Sequence, residues 1–177
     1  MKLSRCWVPG LLLCAVLAGC SEDPQEARFR QELVDKALND DTRRAGDAFL
    51  AENAKRPDVQ VKASGLQYRI VREGSGASPG PRDIVVVHYE GRRIDGEIFD
   101  SSWERNQPAR FPLNQVIKGW AEGLRDMKVG GERELYLPAD LAYGARSPSP
   151  MIPANSALIF RVELLDVEHQ GAPESGE

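Results

Sequence analysis

The sequence predicts an α+β fold: an antiparallel sheet with one wet face, wrapped on one short α-helix and preceded by a short helical segment. Three patterns carry this reading. Leu158, Phe160, Val162 and Leu164 alternate with Arg161 and Glu163, which is the two-residue period of a half-buried strand. Val116, Ile117, Trp120 and Leu124 recur at helical spacing inside an otherwise strand-like region. Upstream, Phe29, Leu33, Val34, Ala37, Leu38, Ala45, Ala48 and Phe49 repeat at three- and four-residue steps.

In chain order, Lys2 and Arg5 make a short basic start to an apolar run from Trp7 to Leu17, closed by Leu17-Ala18-Gly19-Cys20. That run is about half of the ~20 residues needed to span a bilayer, so it reads as the core of a cleaved leader. Leu-Ala-Gly-Cys resembles the lipobox of bacterial lipoproteins, cut before Cys20 with lipid on its sulfur and amino group; a plain secretory signal or a buried N-terminal helix are the alternatives. Cys6 and Cys14 fall in the removed part, which leaves Cys20 as the lone cysteine of the mature chain and no internal disulfide. Two or three acyl chains at ~0.8 kcal/mol per buried methylene would anchor it firmly. Ser21 to Gln25 is a polar tether.

The apolar stripe from Glu26 to Lys55 is interrupted at Asn39-Asp40-Asp41-Thr42, a sequence able to cap a second helix, although one bent helix also satisfies the phase. Such a stripe must lie on the following domain, on a twin chain, or stay partly frayed; as a spacer it leaves the later residues self-sufficient. After Pro57 the grammar is that of strands. Leu66, Tyr68 and Ile70 alternate, turn residues follow at Gly74-Ser75-Gly76 and Pro79-Gly80-Pro81, and Val85, Val87 and Tyr89 share one strand face. Glu97 to Ser101 forms another strand, Asn114 is placed to cap a helix from Gln115 to Leu124, and Leu135 and Leu137 alternate outward from Gly130-Gly131. His169 to Glu177 is a polar tail without a packing signal.

Basic and acidic residues are interspersed, 23 Lys and Arg against 27 Asp and Glu for a formal net charge of −4, with no basic stripe. This argues against a nucleic-acid partner. Between Val85 and Asp166 an ordered apolar set, Tyr89, Phe99, Phe111, Val116, Ile117, Trp120, Tyr143, Ile152 and Phe160, accompanies the single polar residue Asp100. It holds no nucleophile–base pair, metal-ligand cluster or phosphate loop, so no metal and no cofactor is called for. The set suits an apolar pocket that works by shape and dryness. Trp120 and Asp100 taken alone read as a core tryptophan and a turn carboxylate, and His88 as structural.

The segments VHYEG, FDSS, QVIKGW, AYG, IPANSALIF and VELL occur in one order between about Gly65 and Val167. That series resembles the FK506-binding-protein (FKBP) type peptidyl-prolyl cis-trans isomerases. The resemblance implies a five- to six-stranded FKBP-like antiparallel sheet curled around the short helix, with the pocket between. It divides the chain into a signal peptide (1–19), a lipidated cysteine with tether and helical spacer (20–60), an isomerase domain (61–167) and a polar tail (168–177). GDAFLAENAK followed by SGLQY resembles the macrophage infectivity potentiator subgroup of bacterial envelope isomerases, whose helical dimerisation region is longer; here a monomer is expected, with a dimer as the alternative.

What the resemblance implies for the site is specific. Trp120 forms the floor for a substrate proline ring; Tyr89, Phe99, Val116, Ile117 and Phe160 wall it, with Phe111 beside them. Tyr143 offers its hydroxyl to a substrate carbonyl and Ile152 its backbone N–H. Asp100 hydrogen-bonds Tyr89 and pairs with Arg105. Ala109, before Arg110 and Phe111, and Leu141 stand where the family often has aromatics. The implied partners are proline-containing polypeptides and macrolide ligands of the FK506 type. The implied function is isomerisation of X-Pro bonds in the bacterial envelope, the alternatives being a chaperone or binding module using the same groove and a structural surface lipoprotein. Ser21 lacks the retention aspartate of enteric lipoproteins, which points to the outer membrane facing the periplasm.

Overall fold

The computed structural model describes residues 23–38 and 40–169. The leader, Cys20 and the tail beyond His169 lie outside the described residues. Helices α1 (Pro24–Leu38) and α2 (Asp41–Asn53) precede strands β1 (Gln60–Val61), β2 (Gln67–Arg72), β3 (Ile84–Arg93), β4 (Ile98–Ser101) and β5 (Ala109–Pro112). Helix α3 (Lys118–Arg125), strand β6 (Glu132–Leu137), a short 3-10 turn (Ala139–Leu141) and strand β7 (Leu158–Glu168) complete the order. The strands form one seven-stranded antiparallel sheet, β1-β2-β6-β7-β3-β4, with β5 also paired to β3. The two-residue β1 accounts for the strand beyond the five or six expected.

The ten-residue β3 is the spine of the curl. It pairs along its length with β7, and on its other edge first with β5 and then with β4. Register shifts at Val86/Val87 and at Gly91/Arg92 bend it, as bulges do. The concave face buries Val85, Val87, Leu135, Leu137, Leu158, Val162 and Leu164 against Trp120 and Leu124 of α3. Buried Arg133 donates to the carbonyls of Gly123 (3.3 Å) and Asp126 (2.9 Å), satisfying groups left open at the end of α3.

Four details differ from the sequence reading. Helix α3 starts at Lys118, not Gln115, and Asn114 does not cap it: Ile117 holds the N-cap position with ψ 150° and no side-chain cap, while the Gln115 N–H closes a turn on the Pro112 carbonyl (2.9 Å). Val116 and Ile117 therefore reach the cavity from the turn and bend that precede the helix. Second, the outer face is not uniformly wet, since all six residues of β6 are buried. Glu132 is held by Arg161 (2.5 Å), and Glu134 by Arg69 (2.9 Å), Arg92 and the Tyr136 hydroxyl (2.7 Å). Buried carboxylates persist only when paired in this way.

The third difference is α2, which is part of the fold and not a free spacer. Asp40 adopts an extended conformation, its carboxylate accepting from the Arg43 N–H (2.7 Å), so the break at 39–42 is a true helix start. Leu50 packs with Tyr136, Ala157 and Ile159 on the outer sheet face. Asn53 donates to the Gln67 side chain (2.9 Å), and Gln67 donates to the Leu50 carbonyl (2.9 Å). Of the three fates open to the stripe, α2 takes the following domain, whereas Phe29, Leu33 and Val34 of α1 remain exposed. Fourth, His169 is not loose: its Nδ1 lies 2.7 Å from buried Asp83.

Candidate active site

Between the concave face and α3 lies a cavity of about 310 Å³. Nine of the ten residues singled out between Val85 and Asp166 line it, Ile152 being the exception, and Gln115 joins them. Trp120 lies at the centre of an aromatic cluster. Its ring meets Tyr89 at 5.2 Å, Phe160 at 5.3 Å and Phe111 at 5.6 Å, all edge-to-face. Phe99 meets Phe160 in the same way at 5.7 Å. These are the arrangements that ring quadrupoles favour, so they hold the wall without any polar group. The indole Nε1 of Trp120 is buried without a hydrogen-bond partner among the described residues.

Backbone geometry makes this cluster possible. A Cβ on Gly91 would stand 2.5 Å from the Phe99 ring and 2.8 Å from that of Phe160, so only glycine lets the two rings close over β3. Tyr89 is pinned from behind by Ser102, whose hydroxyl accepts from the Tyr89 N–H (2.7 Å) and whose own N–H donates to the Tyr89 carbonyl (2.9 Å). His88, on the opposite face, lies 3.0 Å from the same hydroxyl and stacks on Trp103.

One rim is polar. The Tyr89 hydroxyl donates to the Asp100 carboxylate, and Arg105 pairs with Asp100 while donating to the Tyr89 oxygen (3.2 Å). Burial, and then the hydrogen bond to Asp100, hold the Tyr89 hydroxyl above its usual range. Tyr143 is raised as well, by burial first and by the charge of Asp100 second. Its hydroxyl has no hydrogen-bond partner among the described residues.

Ile152 departs from its assigned role. It is buried, yet its N–H donates to the Ser149 carbonyl (3.0 Å), closing a turn with Pro150 in the position that favours proline. Ser147 Oγ lies 2.8 Å from the carbonyl oxygens of both Ser149 and Ile152, with its one proton to share between them, and tightens the same turn. That N–H is spent locally and is not offered to the cavity. Gln115 was missed because it reads as the polar first residue of a helix capped by Asn114; its place immediately before Val116 was the available signal. Ala109 and Leu141 pack against the core without lining the cavity.

A curled antiparallel sheet, one helix across its concave face and an aromatic cavity between them define an α+β half-barrel with an apolar ligand pocket. Residues 76–165 match the family model "FKBP-type peptidyl-prolyl cis-trans isomerase", and residues 16–70 match "Domain amino terminal to FKBP-type peptidyl-prolyl isomerase". The chain is 41% identical over 182 residues to the FKBP-type 22 kDa peptidyl-prolyl cis-trans isomerase of Escherichia coli K12, covering 94% of this chain and 88% of that protein. It is 43% identical over 148 residues to the outer membrane protein MIP of Legionella longbeachae, covering 80% of this chain and 64% of that one. The crystal structure of FkpA from Escherichia coli superposes with a TM-score of 0.72 at 42% identity, covering 83% of this chain and 70% of that one. Several other relatives are longer, and the chain spans 53–58% of their length. The chain belongs to the FKBP-type peptidyl-prolyl cis-trans isomerases.

Proposed function

We propose that this chain accelerates cis–trans exchange of X-Pro bonds in proteins of the bacterial envelope. The observation that carries the proposal is the apolar cavity in which Tyr89, Phe99, Phe111 and Phe160 surround Trp120. The barrier to exchange comes from amide resonance, and the uncatalysed reaction takes tens of seconds or longer. No bond is made or broken. In the twisted transition state the amide has lost resonance, so its carbonyl carries less negative charge than in the planar ground state. A pocket that excludes water disfavours the more polar planar amide relative to that state while it grips the proline ring. Each tenfold in rate requires only ~1.4 kcal/mol, so a few contacts suffice.

In this reading Trp120 is the floor, Tyr89, Phe99, Phe111, Val116, Ile117 and Phe160 are the walls, and the Tyr143 hydroxyl meets a substrate carbonyl. Asp100 and Arg105 hold Tyr89 in place. Ile117 at the uncapped start of α3 replaces Ile152 as the source of a backbone N–H beside the cavity. The same cavity suits macrolides of the FK506 type. A binding module working without turnover is the second reading, favoured by the loop Gly144–Pro153, which presents Pro148, Pro150 and exposed Met151 near exposed Tyr143. A protease-coupled assay on a panel of X-Pro peptides separates them: turnover supports the enzyme, and binding of unfolded protein with no turnover on any peptide would overturn it.

We further propose that the mature chain begins at acylated Cys20 and sits on the outer membrane facing the periplasm, supported by the lipobox-like Leu17–Cys20 and by an outer membrane protein among its relatives. Mass spectrometry finding an unmodified N-terminus beyond Cys20 would overturn this. A monomer is proposed because Phe29, Leu33 and Val34 form a narrow surface against an association cost of ~4–15 kcal/mol. Sedimentation showing a tight dimer at micromolar concentration would reverse it.

A further inference from the structure

The body of α2 lies on the sheet face opposite the pocket, yet its first turn reaches the loop that carries Tyr143. Two contacts make the connection. Asp40, having capped α2 with one carboxylate oxygen, accepts with the other from the side-chain amide of Asn155 (2.9 Å). Arg43 lays its guanidinium fork on Asp140, at 3.2 and 2.7 Å. One turn further on, close packing sets the distance of the helix: a Cβ on Gly46 would stand 2.9 Å from that of Ala157.

The two partners are the feet of one loop. Asp140 lies in the 3-10 turn three residues before Tyr143, and Asn155 lies at the loop's exit, almost fully buried with φ +59°. The feet are tied to each other by Gly144, whose N–H donates to the Ala139 carbonyl (2.9 Å) and whose carbonyl accepts from the Asn155 N–H (2.7 Å). One helical turn thus holds both feet of a loop whose intervening span, 145–154, carries the Ser149–Ile152 turn and is also held by buried Ile152 and by Arg93, which donates to the Met151 carbonyl (3.4 Å). Tyr143, whose hydroxyl has no partner among the described residues, is fastened between Asp140 and Gly144, and these ties fix its height over the pocket.

We infer that Asp40 and Arg43 are positioning residues for the isomerase: together they brace the loop Tyr143–Asn155 from behind, so that the N-terminal segment sets where the Tyr143 hydroxyl stands above the cavity. The inference rests on the function proposed above. Its physical content is geometric. The Arg43–Asp140 pair is largely open to water on the Asp140 side, and such pairs add little to global stability. A bidentate fork nonetheless fixes orientation, and a loop tied at both feet samples fewer arrangements than one tied at a single foot. The amide of Asn155 first, and the Arg43 N–H second, keep the Asp40 carboxylate below its usual range, and Arg43 does the same for Asp140, so both stay charged throughout the neutral range.

The test uses the full mature chain with Asp40→Ser and Arg43→Leu, singly and together. Serine still caps a helix but lacks the second oxygen that reaches Asn155, which separates bracing from capping. The expected result is hydrogen exchange of amides 144–152 at least about tenfold faster, and kcat on X-Pro peptides about three- to tenfold lower, with a melting temperature close to wild type. Exchanging the charges in Arg43→Asp with Asp140→Arg should restore part of both losses, whereas Arg43→Asp alone should not. Unchanged exchange and kcat alongside a lower melting temperature would reduce Asp40 and Arg43 to helix-docking groups and overturn the inference. A wild-type chain inert on every peptide would instead overturn the isomerase reading, and the exchange measurement would still decide whether the brace exists.

Discussion

The Tyr89 hydroxyl donates to the carboxylate of Asp100 across the β3–β4 hairpin, two residues along β3 from Gly91, which faces Asp100 in the register. This bond turns a tyrosine of the cavity wall toward the rim and gives the apolar pocket its one charged edge. Arg105 closes the arrangement by pairing with Asp100, with its guanidinium carbon 5.8 Å from the centre of the Tyr89 ring. Arg105 thereby offsets the negative charge that Asp100 brings to the edge of the apolar cavity.

Asp100→Leu leaves Tyr89 without its acceptor and Arg105 without its carboxylate partner. Turnover on X-Pro peptides is expected to fall about tenfold, the rate equivalent of ~1.4 kcal/mol, while the melting temperature changes little because both charged groups are substantially exposed. Tyr143→Phe should lower turnover without unfolding the chain, since its hydroxyl has no partner to lose among the described residues. Full turnover by both variants on every peptide would remove these residues from the site.

The aromatic cluster is the close-packed part of the cavity, and its changes should be felt in stability. Trp120→Ala is expected to cost ~3–5 kcal/mol, as for other buried aromatic truncations, and activity with it. Gly91→Ala drives a methyl into Phe99 and Phe160, an overpacking worth ~1–3 kcal/mol. Denaturant unfolding reads both. If Gly91→Ala unfolded at the wild-type midpoint with unchanged turnover, the close approach of the two rings would have no consequence.

Much of this architecture was legible because it is local. The alternation of Leu158, Phe160, Val162 and Leu164 predicts a strand with one buried face, and β7 has it. The ordered set of apolar residues with Asp100, read between Val85 and Asp166, held nine of the cavity's ten residues. What escaped depends on partners distant in sequence. Gly46 takes its meaning only from Ala157, more than a hundred residues on, which is packed against it. His169 reads as tail until Asp83 is beside it. Ile152 failed differently: resemblance located the residue, but the Ser149 carbonyl had already taken its N–H. Asn114 is a good capping residue in general, yet the turn from Pro112 to Gln115 left it no helix to cap.

The pH dependence follows from the tyrosines. Burial holds Tyr89, Tyr136 and Tyr143 above their ordinary range. Their folded-state affinity for the proton exceeds that of the unfolded chain, so the stability they contribute is complete below about pH 10 and is lost as pH rises beyond it. Since the proposed isomerisation moves no proton, kcat is expected to be flat from about pH 7 to 9, with alkaline unfolding setting the upper limit. A bell-shaped profile centred in that window would require an acid–base step and would contradict the conformational mechanism.

If every requirement of the pocket lay after Gly65, a chain shortened to begin at Val61 would keep full activity, and α2 changes that outcome. Removing residues up to 60 uncovers Tyr136, Ala157 and Ile159, which Leu50 and its neighbours cover. It also strips the buried side chain of Gln67 of its bonds to Asn53 and to the Leu50 carbonyl. Burial of one leucine contributes ~1.5–3 kcal/mol and each hydrogen bond ~1 kcal/mol, a large share of the ~5–15 kcal/mol that holds a typical domain. The chain truncated to Val61 should therefore melt on the order of 10 °C below one beginning at Asp23. It should also turn over X-Pro peptides more slowly even where it is fully folded, because the brace on Asp140 and Asn155 has gone with α2. Equal melting temperatures and equal kcat for the two chains would return α2 to the role of a spacer.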